Sequence, residues 1–112
     1  MTRITFEDFL RVDIRVGTVR AVRRNEKARK PAYVLEVDFG PEIGSRTSSA
    51  QLVSLYAPEE LLGRQVLAVV NFPPKRIAGV KSEVLVLGVP DEQGRVVLIG
   101  PDRRVPDGGR LF

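Results

Sequence analysis

Every apolar run in this chain is short. The longest, Val66–Val70 and Val84–Leu87, have the length of a β-strand, and ten glycines and eight prolines punctuate the rest. Such a chain cannot build a helical bundle, which needs apolar positions recurring at helical spacing over ten or more residues. It can build a core only by bringing several short strands together.

The strands are read from alternation. Val12–Arg24 is rich in β-branched residues, and Gly17 inside it predicts a bulge or sharp coil. Asn25–Pro31 is a charged loop. In Ala32–Phe39, Tyr33, Leu35, Val37 and Phe39 fall on one face, with Val34, Glu36 and Asp38 on the other. Arg46–Ala50 is a third strand, Gln65–Phe72 a buried fourth and Ser82–Val89 a fifth, followed by a turn at Pro90–Gly94 and a short strand at Arg95–Ile99. One short helix sits between the third and fourth strands, with Pro58 at its first position and Gly63 past its end. A second helix is predicted near the start, where Thr5 precedes Asp8 at capping-box spacing and Phe6, Phe9 and Leu10 share a face.

Five main strands with a helix between the third and fourth is the pattern of an OB-fold, an all-β Greek-key barrel. An SH3-like barrel or a split sheet has similar spacing. The 112 residues suffice for one domain, 1–112, with 1–10 and 100–112 as extensions, and no linker or repeat divides them. The first fifteen residues are too charged for a signal-peptide core and no run approaches a membrane span, so a cytoplasmic protein with no membrane insertion is expected.

Catalysis finds little footing. There is no cysteine and no histidine, hence no thiolate nucleophile and neither the commonest general base nor the commonest metal ligand. Ser48-Ser49 lacks a histidine to activate it, Glu59-Glu60 reads as the acidic first turn of a helix, and no phosphate-cradling glycine motif occurs. The expectation is a binding protein, not an enzyme, with no cofactor and no metal.

The charge that matters is local. The formal net charge is only +4, but the cations cluster. Arg20, Arg23, Arg24, Lys27, Arg29 and Lys30 span the end of the first strand and the loop after it. Taken singly, each is a solvated charge partly offset by Glu26. Taken together, they suit phosphates, whose neutralisation releases counterions. A second cluster, Asn71–Glu83, holds Lys75, Arg76 and Lys81, with Asn71 and Ser82 as neutral groups suited to base edges or sugar hydroxyls. Pro73-Pro74 stiffens it, either as a plain strand connection or as a loop losing little entropy on binding. Internal aromatics are few, which argues against generic single-strand binding and for recognition of a folded RNA by shape.

The second cluster resembles the tRNA-binding OB-fold family, and within it the CsaA-type export-related chaperones. Val12–Gly17, Asp38–Gly40 with Glu42–Gly44, Ser48–Gln51, Asn71–Gly88, and Pro101-Asp102 with Val105–Gly108 carry the resemblance. It implies an OB-fold homodimer using extensions at both ends, where Ile4, Phe6, Phe9, Leu10, Leu111 and Phe112 lie. It also implies tRNA-facing roles for Asn71, Lys75, Arg76, Lys81 and Ser82, with Ser49 and Gln51 nearby; Arg29 and Lys30 join the RNA-binding candidates from the charge of the first cluster alone. One departure stands out. The wider family often reads His-Pro-x-Ala-Asp before its second strand, whereas Asn25–Pro31 stands here, as the CsaA-type proteins also differ. The chaperone resemblance adds unfolded or exported polypeptides and the export machinery as partners. Tyr33, Phe72, Pro73, Pro74 and Ile77 would then line a peptide groove. A structure-specific tRNA binder with no chaperone role is the alternative.

Overall fold

The computed structural model describes residues 1–112. Its central element is the long strand β1 (Ile14–Arg24), which is long because it serves two partners. Its first half pairs antiparallel with β4 (Gln65–Val69), Val16 opposite Leu67 and Thr18 opposite Gln65. Its second half pairs with β2 (Tyr33–Asp38), Val22 opposite Leu35. The register slips between Val19 and Ala21, so the bulge lies at Arg20 and not at Gly17. Gly17 answers a packing need instead: a Cβ there would sit 2.6 Å from Val37 Cγ1 and 2.8 Å from Phe39 Cδ1.

Strand β3 (Ser45–Ala50) pairs with β2, and β7 (Leu85–Val86) pairs with β4, for a sheet order of β3-β2-β1-β4-β7. The two edges then meet. Glu83 N–H donates to Thr47 O at 2.7 Å, Thr47 N–H to Glu83 Oε1 at 3.1 Å, and Ser49 N–H to Ser82 Oγ at 3.0 Å. The result is a nearly closed five-stranded antiparallel barrel, the expected OB-fold.

Two predicted strands are shorter than the sequence suggested. The fourth ends at Val69, because Asn71 turns away to bind the segment before β1. The fifth is divided. Residues 82–83 bond to β3 and 85–86 to β4, while β8 (Gly88–Pro90) leaves to form a hairpin with β9 (Val96–Leu98). At the turn of that hairpin, the Asp91 carboxylate accepts from the backbone N–H groups of Arg95 and Gln93.

The core contains Val19, Tyr33, Leu35, Val37, Phe39, Leu52, Leu61, Val66, Ala68 and Val84. Helix α2 (Pro58–Leu61) closes one end with fully buried Leu61, and Glu60 caps it by accepting from Ala57 N–H at 2.9 Å. Each such buried side chain contributes about 1.5–3 kcal/mol. Helix α1 (Phe6–Leu10) carries the predicted capping box: Asp8 N–H donates to Thr5 Oγ1 at 3.2 Å and Thr5 N–H to Asp8 Oδ2 at 3.1 Å. It buries no residue.

The C-terminal tail is less of an extension than expected. Where β2 has run out, residues 108–111 take its place beside β1. Gly108 N–H donates to Val16 O at 2.8 Å, Val16 N–H to Gly109 O at 3.0 Å, and Leu111 N–H to Ile14 O at 2.8 Å. Asp107 accepts from Thr18 Oγ1–H at 2.6 Å, and Gln65 grips the backbone of Val105 with both ends of its amide.

Candidate nucleic-acid interface

The two basic clusters, separated by more than forty residues in sequence, form one groove. Its first wall is the β1–β2 loop. Asn25 shapes that loop by accepting Lys27 N–H on its side-chain oxygen at 3.1 Å, while Asn25 N–H donates to Ala32 O at 2.9 Å. The second wall is a hairpin that sequence reading missed, β5 (Lys75–Ile77) with β6 (Val80–Ser82). Its turn is Ala78-Gly79, with φ of 47° and 82°. Positive φ at both central residues matches the twist of a tight hairpin, and Asn-Gly is the usual signal for it. An alanine there hides the turn from a sequence reader.

The walls touch. Lys27 Cδ lies 3.3 Å from where a Cβ on Gly79 would be, so glycine lets the lysine stem lie flat on the hairpin tip. Between the walls is an open cleft of about 560 Å³, lined by Lys27, Ala28, Arg29, Lys30, Ala32, Ser49, Gln51, Ile77 and Ala78. Its floor is largely alanine and isoleucine and its rim cationic.

The predicted residues separate into three groups. Arg29, Lys30, Ser49 and Gln51 line the cleft, and Lys75, Arg76 and Lys81 stand exposed on the hairpin beside it. Arg76 faces Lys81 across the pair, and its guanidinium donates to Gly79 O at 3.2 Å. Asn71 and Ser82 hold structure instead. The Asn71 amide accepts Asp13 N–H at 3.0 Å and donates to Arg11 O at 2.8 Å. Ser82 is buried, with its hydroxyl oxygen docking the hairpin onto β3.

The expected peptide groove needs a correction. Tyr33 cannot line it: the residue is buried in the core, and its hydroxyl donates to Tyr56 O at 2.8 Å. Phe72, Pro73 and Ile77 do share a small apolar depression of about 320 Å³ with Leu85. Pro74 is exposed and does not line it. Ile77 borders both this depression and the cationic cleft.

The groove holds the largest group of cations that no carboxylate neutralises. Arg23, Arg24, Lys27, Arg29, Lys30, Lys75, Arg76 and Lys81 have no carboxylate at ion-pair distance. Arg20, counted in the same cluster from sequence, belongs elsewhere, 3.8 Å from both Asp38 and Asp107. Arg15 is engaged too. Its hydrogen bond to Asp13 at 2.6 Å holds the guanidinium pKa above its ordinary value, with partial burial opposing. No group of three or more His, Cys, Asp or Glu side chains could hold a metal ion, and no helix is long and apolar enough to cross a membrane.

Comparison with known proteins decides what kind of domain this is. The family described as "Putative tRNA binding domain" matches residues 14–110. This chain belongs to the tRNA-binding domain family. The crystal structure of chaperone CsaA from Bacillus anthracis superposes with a TM-score of 0.92 at 52% identity, covering 99% of this chain and 100% of that one. CsaA of Picrophilus torridus gives 0.90 at 46% identity, over 98% and 100% of the two chains. Among curated relatives, methionine–tRNA ligase of Pyrococcus furiosus is 40% identical over 111 residues, 99% of this chain. The chain spans about 15% of the length of such ligases.

Proposed function

We propose that this chain is a non-enzymatic, homodimeric protein that binds tRNA in the groove between the β1–β2 loop and the β5–β6 hairpin. One observation carries the reading: two distant basic clusters converge on one cleft and leave their cations unpaired. Paired arginines elsewhere are neutralised by carboxylates, whereas these are free to meet phosphates. The stiff hairpin and the scarcity of exposed aromatics favour a folded RNA over a flexible strand. The dimer is supported by the exposed apolar side chains Ile4, Phe6, Leu10, Leu111 and Phe112 at the two termini, the kind of surface that marks an interface. Two copies would double the basic surface and bind one RNA with avidity.

A second reading is favoured by the match to CsaA along its full length and by the apolar depression at Phe72. In it, the protein is a cytoplasmic chaperone for unfolded or exported polypeptides and works with the export machinery. Ile77 borders both sites, so the two ligands would compete.

One titration addresses both. With Lys75, Arg76 and Lys81 replaced by Ala, tRNA affinity falls, and the slope of log K against log salt flattens by about 0.7–0.9 per lost phosphate contact. Unchanged affinity and slope would overturn the groove. In the unaltered protein, an unfolded polypeptide that displaces tRNA supports the second reading with a shared surface. Absence of any polypeptide binding removes that reading.

A further inference from the structure

We propose a second phosphate-binding site on the α2–β9 flank of the barrel, built by Arg64, Arg103, Arg104 and Tyr56. A cleft of about 440 Å³ opens there, between the start of β4 and the segment after β9, and shares no residue with the groove. Its volume is within the range of about 300–1,000 Å³ typical of small-ligand sites.

The donors are held in place. The Arg64 guanidinium lies over the Tyr56 ring, 5.1 Å from its centroid, which orients the plane of its fork. The Tyr56 hydroxyl accepts Leu98 N–H at 3.0 Å, and its own proton has no acceptor within the chain. Arg104 is braced by donating to Gly63 O at 3.1 Å and Thr18 Oγ1 at 3.5 Å. Neither Arg64 nor Arg104 has a carboxylate partner. Arg103 sits 3.9 Å from Asp102, with the two side chains 92% and 100% exposed, a pairing that an arriving anion displaces at little cost.

Guanidinium forks and a phenolic donor around one cleft suit the several acceptor oxygens of a phosphate. Two sources share that chemistry: a backbone phosphate of RNA already held in the groove, and a free phosphoester of nucleotide size. The first rests on the tRNA reading and the second does not.

The test uses the full chain and the variant R64Q/R103Q, with Arg104 kept because it braces Gly63. Inorganic pyrophosphate is titrated while backbone amide shifts are followed, and tRNA binding is measured against salt. The expected result is saturable shifts at residues 63–65 and 100–104 that the variant weakens at least tenfold. A tRNA salt slope lowered by about 0.7–0.9 per lost contact then assigns the site to RNA. An unchanged tRNA isotherm with the pyrophosphate shifts lost assigns it to a free phosphoester. Shifts absent from the flank, or equal in the variant, overturn the proposal. Failure of the unaltered protein to bind tRNA would sink the groove reading while leaving the pyrophosphate result intact.

Discussion

Strand β1 uses arginine in opposite ways at its two ends. At its start, Arg15 pairs with Asp13, Arg110 from the tail reaches the same Asp13 at 3.6 Å, and mid-strand Arg20 bridges to Asp38 and Asp107. This seam joins the tail to the barrel. At its far end, Arg23 and Arg24 lead into the β1–β2 loop and have no carboxylate partner, Arg24 lying instead over the Tyr33 ring, 5.9 Å from its centroid; the loop's Lys27, Arg29 and Lys30 are likewise without carboxylates. The residue type is the same and the neighbours differ. Carboxylates at the seam turn positive charge into architecture, and their absence at the groove leaves it available to a polyanion. Net charge hides this division, because it counts paired and unpaired cations alike against carboxylates spread over the whole chain.

The largest effect that could break the comparison lies at the seam. Gly108 has φ of 93°, and a Cβ there would sit 2.5 Å from Phe39 O, a backbone atom that cannot move aside. G108A should therefore cost about 3 kcal/mol, combining left-handed backbone strain with the clash. A fall of roughly 10–20 °C in melting midpoint would report it. G94A is the control, since its φ of 78° is similar but nothing lies within 4 Å of the added carbon. It should lose only about 1–2 kcal/mol of backbone conformational energy. Equal losses in the two variants would show that the seam is not a tight fit.

A smaller effect concerns assembly. Helix α1 contributes no buried residue to its own chain, yet Phe6 and Leu10 are exposed and Arg110 ties its end by donating to Leu10 O at 2.6 Å. A chain lacking residues 1–10 should keep the barrel and sediment as a monomer, and lose tRNA affinity through lost avidity rather than lost contacts. A well-folded dimer of undiminished stability would remove the N-terminal extension from the interface.

How far the sequence revealed this arrangement differs between the two regions in the same physical way. Local features were legible. The Thr5–Asp8 box, the Pro58 helix with Gly63 past its end, and the alternation that puts Leu35, Val37 and Phe39 inside all depend on neighbours a few residues away. Features set by distant partners were not. Asn71 looks like a base-reading donor beside Lys75, but its amide is satisfied by Arg11 and Asp13 from the other end of the chain. Arg20 looks like part of the basic loop until Asp107 is folded onto it. Tyr33 shares the inward face of Leu35, Val37 and Phe39, yet its polar tip needs a partner there, and the carbonyl of Tyr56 that supplies it comes from a distant segment. Of the groove residues, Arg29 and Lys30 are legible as part of a local run of charge, whereas Ser49 and Gln51 are found only through family resemblance, since their convergence on the cleft requires the barrel to close.

The smallest effect would sharpen the groove side. Ala78 holds a φ of 47°, a region that costs an ordinary L-residue about 1–2 kcal/mol and asparagine less. A78N should relieve this strain, and A78V, β-branched, should worsen it. Neither should move the global melt much, because β5 is exposed along its length and pairs only with β6. Any opening of so small a hairpin is local and leaves the barrel intact, so hydrogen exchange at the Val80–Ser82 amides is the sensitive readout. Slower exchange in A78N and faster exchange in A78V are expected, with tRNA affinity shifting a few-fold in the same order, because a preformed hairpin loses less entropy on binding. If exchange follows this order while tRNA affinity does not, the hairpin is pre-organised for something other than the RNA. The apolar depression at Phe72, on the same hairpin, would then be the surface to test.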